Sequence, residues 1–199
     1  MSVAVIIYHG AMSRWPSNPR GRLEEAAMDL FVERGYDQTT VAEIAERAGL
    51  TERTFFRHFS DKREVLFRGG ELLQEAMVAA LAAAPADATP LGAVHAALVA
   101  MTPFFDARHN RARLRQDIID AHPELQEREV AKMAKLAGAM AEGLRVRGVP
   151  DPDARLAADA GIAVFRSAFS QWVRSETGNM SKTAEDCFAA LENLVELGR

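Results

Sequence analysis

Two short stretches, each opened by a threonine and parted by a glycine, constrain this chain more than any other feature. They are Thr40-Val41-Ala42-Glu43-Ile44-Ala45-Glu46-Arg47-Ala48 and Thr51-Glu52-Arg53-Thr54-Phe55-Phe56-Arg57-His58-Phe59, joined by Gly49-Leu50. A threonine hydroxyl satisfies an early helical N–H, either Thr39 or Thr40 serving the first stretch and Thr51 the second. Glycine allows the positive φ of a sharp turn. Val41, Ile44, Ala45 and Ala48 recur at the spacing of one helix face. Helices this short are not stable alone and must rest on something else. The preceding stretch supplies it: Leu23, Ala26, Ala27, Leu30 and Phe31 form an apolar stripe on a predicted helix from Arg20 to Arg34, which Gly35 stops. A helix-turn-helix packed on a first helix follows, with Leu50, Phe55 and Phe59 facing a core shared with Ile44 and Phe31.

That core leaves Thr51, Arg53, Thr54, Arg57 and His58 on the opposite face of the second short helix. Donors, short polar groups and positive charge suit the edge of a nucleic-acid groove flanked by phosphates. Arg53 and Arg57 either read guanine edges or clamp phosphates, whereas Thr40, Thr51, His58 and Lys62 are expected at phosphates. Arg14, Arg20 and Arg22 precede or open the first helix and suit an arm entering a minor groove, a plain tail being the other reading of Arg14. The net charge of −4 at first opposes such a partner, but it is unevenly spread. Residues 14–68 hold ten Lys/Arg against ten Asp/Glu, so the whole acidic excess lies in residues 69–199. Local clustering of cations is what phosphate contact requires.

The remainder also reads as helix, with apolar residues three and four apart and no sustained alternation. Ser60 and Asp61 open a helix predicted to run unbroken to Ala84, about 36 Å long at 1.5 Å per residue, which bridges two bodies. Further helices are predicted at 90–106, 109–121, 123–147, 153–176 and 181–197, with breaks at Arg108-His109-Asn110, His122-Pro123, Gly148-Val149-Pro150 and Thr177-Gly178-Asn179. The fold class is all-α with about nine helices: a flexible arm over 1–19, a helix-turn-helix domain over 20–66, and a second helical domain over 67–199. The apolar stretch Val3–Tyr8 has no basic region before it and reads as a tail rather than a secretory signal, Met12 being an alternative start. No run is long enough to span a membrane. Cys187, the single cysteine, allows neither an internal disulfide nor a cysteine-based metal cluster, which suits the cytoplasm. Asp117, Asp120, His109 and His122 make no metal set, and no nucleophile, phosphate loop or cofactor motif suggests catalysis.

At this point the sequence resembles the TetR family of bacterial transcriptional regulators. The run Leu23-Glu24-Glu25-Ala26-Ala27-Met28-Asp29-Leu30-Phe31, then Gly35-Tyr36 and Thr39-Thr40, is similar to the family's opening. Thr51 to Phe59, with Lys62 and Leu66 beyond, is similar to its recognition helix and the start of its fourth helix. The resemblance covers about fifty contiguous residues at family spacing. Phe56 departs from it, standing where the family usually has a phosphate-binding tyrosine, so an apolar contact with a sugar or thymine methyl is expected there.

The resemblance implies a homodimeric repressor of a palindromic double-stranded DNA operator, released by a small-molecule effector. Its last two helices would form the dimer interface, here through Leu156, Ala160, Val164, Ala168, Trp172, Phe188, Leu191 and Val195, intramolecular core being the other reading of these residues. Small residues such as Ala160 and Ala163 would let those helices approach closely. Met101, Phe104, Phe105, Ile118, Met133, Leu136, Met140 and Phe165 suit an adaptable apolar pocket or plain core, and Arg108, Arg111 and Arg115, at i, i+3 and i+7, suit a phosphate or carboxylate or form a solvated basic face. The stretches Arg115–Ile119, Pro123–Glu129 and Arg147–Val149 look like a subgroup associated with acyl-CoA-like ligands. A helical acyl-CoA-binding protein or enzyme without a DNA role, and an architectural DNA binder without sequence preference, are the competing readings.

Overall fold

The computed structural model describes residues 18–176 and 178–196, with side chains to 194. Arg14 and the Val3–Tyr8 stretch lie outside the described residues. Ten helical segments and no strand occur among those described.

Helix α1 (Pro19–Arg34) opens on Asn18, whose side chain accepts from the Arg20 N–H at 3.1 Å, and closes on Gly35 at φ 86°. It buries the predicted stripe and, in addition, Glu24 and Met28. Thr40 rather than Thr39 caps α2 (Val41–Arg47), in a reciprocal box with Glu43. Thr39 is buried, and its hydroxyl donates to the Gly35 carbonyl at 2.8 Å. Thr51 caps α3 (Glu52–His58) by accepting from the Thr54 N–H.

The fourth helix predicted from Ser60 to Ala84 starts at Glu64 and runs as α4 (Glu64–Phe67) and α5 (Gly69–Ala82), with Arg68 between them still at helical dihedrals of φ −51° and ψ −39°. The glycine pair Gly69-Gly70 weakens the helical ladder just after it, where the chain passes from one body to the next. Asp61 caps the start as predicted, accepting from the Arg63 and Glu64 N–H groups. Beyond follow α6 (Pro90–Asp106), α7 (His109–Asp120), α8 (Pro123–Val146), α9 (Asp151–Arg174) and α10 (Met180–Glu196). Pro103 sits inside α6 and cannot serve the Val99 carbonyl, and the Thr102 hydroxyl takes that acceptor instead at 2.8 Å.

Helix α9 is central to the second body, packing on α6, α8 and α10, while α5 lies on α6 and α8. The close crossing of α9 with α6 depends on Gly161, where an added Cβ would stand 2.2 Å from Val94 Cγ1. This core runs from Leu73 to Phe188 and includes Met77, Leu98, Met140 and Trp172. A separate core holds the helix-turn-helix together: Leu23, Leu30, Phe31, Ile44, Phe55, Phe59 and Leu66, closed by Ile119 and Leu125 from the α7–α8 corner. Among the described residues the two bodies therefore meet at the α4–α5 junction, where α1 lies along α7, and at that corner. At the corner His122 stacks edge-on against Tyr36, centroids 4.7 Å apart, and donates from Nδ1 to the Ile118 carbonyl at 2.6 Å. Its Nε2 stands 3.5 Å from Asp37.

Candidate nucleic-acid interface

Phe55 anchors α3 from below, fully buried and in ring contact with Phe59 at 5.3 Å. With that face fixed, the opposite one presents Thr51, Arg53, Thr54, Phe56 and Arg57. Arg53 and Arg57 make no hydrogen bond or ion pair with any described residue, so both guanidinium groups are free for an external anion or base edge. Phe56 is 54% exposed, a large apolar ring held outward on a charged surface. Thr51 and Thr54 join their hydroxyls at 3.0 Å at the start of the helix.

Three residues expected at the DNA are otherwise engaged. Lys62 donates from Nζ to the Tyr36, Asp37 and Thr39 carbonyls at 2.7, 3.2 and 3.1 Å, and its ammonium lies 4.4 Å from the Tyr36 ring centroid. All three of its protons are used inside the protein, so Lys62 ties the loop before α2 to the start of α4 rather than reaching for a phosphate. Arg22 donates from Nη2 to the Ala48 carbonyl and, at 3.4 Å, to that of Gly49. It clasps the turn between α2 and α3, and Gly49, at φ 63°, admits it: a Cβ would stand 2.7 Å from Nη2. His58 turns its Nε2 into the protein, where it is buried without a partner. Burial first, then the charges of Arg57, Arg20 and Arg68, push its pKa down, which disfavours the cation at this position. Thr40 is exposed, but its hydroxyl is shared with Glu43 at 2.9 Å in the cap of α2.

The interface is held to the second body by buried charge. Glu24 on α1 accepts from Arg68 at the α4–α5 junction, with Arg20 at 3.9 Å. Burial raises the Glu24 pKa against the pull of Arg68. Arg115 of α7 donates from Nε to the Leu66 carbonyl at 2.6 Å and from Nη2 to Glu129 at 2.6 Å. Arg115 was expected in an effector pocket; here it ties α4 to α7 and α8. Ile118, also expected there, packs instead against the core of the helix-turn-helix.

The other pocket residues separate as well. Met101, Phe105, Met140 and Phe165 are buried within the core, with Phe104 partly buried beside them. Met133 and Leu136 line an open cleft of about 280 Å³ between α5 and α8, together with Phe67, Gly70, Leu73, Gln74, Arg128 and Lys132. Sequence reading looked for an apolar hollow and passed over these cations. The signal was present, since Arg128, Lys132 and Lys135 fall at i, i+4 and i+7 on one face of α8.

The residues expected at a dimer interface need correction too. Val164, Ala168, Trp172 and Phe188 are buried in the protomer's own core. The cause is helical phase: a step of four residues advances about 40° around the axis, so a run from Leu156 to Trp172 turns from the outer face to the inner one. Leu156 and Leu194 are each 70% exposed, and Ala160 and Leu191 partly so. The Val195 side chain lies outside the described residues.

Comparison with known proteins decides the family. Residues 23–68 match the bacterial regulatory proteins of the tetR family, and residues 88–196, more than half the chain, match the MftR C-terminal domain. The chain belongs to the TetR family. It is 40% identical over 92 residues to the transcriptional regulator TcmR of Streptomyces glaucescens, spanning 46% of this chain and 41% of that one. It is 23% identical over 184 residues to the putative mycofactocin biosynthesis transcriptional regulator MftR of Mycobacterium tuberculosis, covering 91% and 93% of the two chains. The same fold is found in SmeT, repressor of a Stenotrophomonas maltophilia multidrug efflux pump (TM-score 0.58, 22% identity, 86% and 87% covered). It is found again in Thermus thermophilus FadR in complex with lauroyl-CoA (TM-score 0.52, 23% identity, 86% and 92% covered). As a TetR-family member, this chain is a DNA-binding transcriptional regulator. Among its described residues no helix is long and apolar enough to cross a membrane, and no group of His, Cys, Asp and Glu could hold a metal.

Proposed function

We propose that the protein is a cytoplasmic, homodimeric repressor that binds a palindromic operator through two copies of α3 and leaves it when a small effector binds residues 67–199. The observation that carries this reading is the outer face of α3, where two unpartnered arginines flank an exposed phenylalanine on a helix fixed from beneath by Phe55. Residues 20–66 act as the reading domain, with Arg53 and Arg57 at base edges or phosphates and Phe56 against sugar or thymine methyl. Thr51 and Thr54, at the start of that helix, lie where hydroxyls meet the backbone of the duplex. One such helix spans too few bases for an operator, and a two-fold dimer supplies half-sites set by its own geometry. The exposed Leu156, Ala163 and Leu194, with the half-buried Ala160 and Leu191 beside them, form the pairing surface of α9 and α10.

The effector is apolar or acyl-CoA-like. The buried methionines Met77, Met101, Met133, Met140 and Met180, from α5, α6, α8 and α10, support that class, and a structural neighbour, FadR, holds lauroyl-CoA. Genome-wide binding-site selection with the purified protein, followed by titration of acyl-CoAs on the recovered site, tests the reading. A two-fold repeated sequence, lost from binding when Arg53 is changed, is the expected result. Binding indifferent to sequence would leave an architectural role instead.

A further inference from the structure

In the cleft between α5 and α8 two cations share one carboxylate in a partly dry place. Glu129 is the single carboxylate between Arg115 and Lys132, giving one oxygen to each at 2.6 Å. Burial alone would raise the Glu129 pKa, yet Arg115 and Lys132 hold it below the ordinary carboxylate value. Lys132 has only a fifth of its side chain exposed, and burial and then repulsion from Arg115 push its pKa down to about 8. Arg128 is met by Glu64 and, at 3.9 Å, by Asp61. The exposed Lys135 of α8 and Glu71 of α5 also line the cleft. Arg115, Arg128 and Lys132 all gather around the Phe67 ring, at 5.2, 5.4 and 5.9 Å from its centroid. The rest of the lining is apolar or small: Leu73, Met133, Leu136 and Gly70, where a Cβ would press on the Lys132 stem at 3.0 Å.

A half-buried cation sharing its one acceptor is costly unless a further anion arrives. We infer that this cleft is a binding site for an organic anion, its acid group on Lys132 and Lys135 and its apolar body against Phe67, Leu73 and Leu136. The ligand class is a carboxylate or phosphate ester with a slender or flat hydrocarbon part. An anion there draws Lys132 away from Glu129, leaving that carboxylate to Arg115 alone. Arg115 also holds the Leu66 carbonyl, so occupancy changes the clamp on α4, one helix from the DNA-reading face. This second step rests on the proposed function; binding itself does not.

The test titrates full-length protein with 8-anilinonaphthalene-1-sulfonate and, as the uncharged counterpart, N-phenyl-1-naphthylamine. The sulfonate is expected to bind the native protein and to weaken tenfold or more in Lys132→Met, with recovery in Lys132→Arg and no change in the surface control Lys182→Met. The amine should bind native protein and Lys132→Met alike. Displacement by octanoate or by octyl phosphate separates a carboxylate from a phosphate ligand. Equal sulfonate affinity in native protein and a folded Lys132→Met, or displacement by neither competitor, overturns the inference. Retained DNA binding in Lys132→Met shows that a lost site is the cleft's failure and not that of the regulator reading.

Discussion

At the scale of single residues, the arginines of α3 and the lysines around them do opposite work. Arg53 is free and outward, so Arg53→Ala should weaken operator binding by about 1–3 kcal/mol and relax the preference at one base position. Arg57→Ala should lower the slope of log affinity against log salt by about 1, if it meets a phosphate; fluorescence anisotropy across a salt series reads both. Lys62 gives all three protons to carbonyls around the start of α2. Lys62→Met should therefore cost about 2–3 kcal/mol of stability, seen as a lower urea midpoint. Lys132 predicts the reverse sign. Its pKa falls to about 8 from an ordinary 10.5, so the native state resists its proton. Below pH 8 that penalty is fully present, and between pH 8 and 10.5 it fades as the native lysine gives up its proton before the unfolded one does. Lys132→Met should thus stabilise the protein at pH 7 by roughly 1–3 kcal/mol, the gain shrinking toward pH 10.5 in thermal melts across pH.

Elements were legible where a local rule acts alone. Thr51 caps as read and Thr40 takes the cap left open between it and Thr39, because caps are written in the residue types themselves; Asn18 and Thr89 do the same for α1 and α6, though neither was anticipated. The apolar stripe of α1 was equally plain. The junction at Arg68 was not foreseen, although Gly69-Gly70 announced a weak point there, because the apolar pattern runs on through Leu66, Leu72 and Leu73 and masks the weaker backbone. The dimer stripe on α9 failed by phase, since spacing of four follows a helix face for only a few turns. The carbonyl contacts of Arg22 and Lys62 were hidden for a different reason: a cation near a predicted DNA face gives no sign of the carbonyls that folding brings to it. Among elements, the α6–α9 crossing is the sharpest test. Gly161→Ala drives a methyl into Val94 and should cost about 1–3 kcal/mol by overpacking, measured as a drop in melting temperature.

At the scale of the whole molecule, the two bodies were implicit in the predicted bridge, but the second contact between them was not. The α7–α8 corner reaches the reading core through Ile119, Leu125 and the His122–Tyr36 pair, contacts that join residues too far apart in the chain for any periodicity to reveal. Pairing of two protomers should rest on the outer face of α9 and α10. Leu156→Glu combined with Leu194→Glu should leave a folded monomer in sedimentation analysis, with operator affinity reduced at least a hundredfold.

The corner also limits how this molecule can be taken apart. Apolar side chains from residues 119 and 125 fill the same volume as those from 23 to 66, so a fragment cut at the domain border would bare an oily wound and lose its shape. Anyone grafting this DNA reader onto a foreign sensor must transplant the corner with it. Reading and responding are thus inherited as one piece.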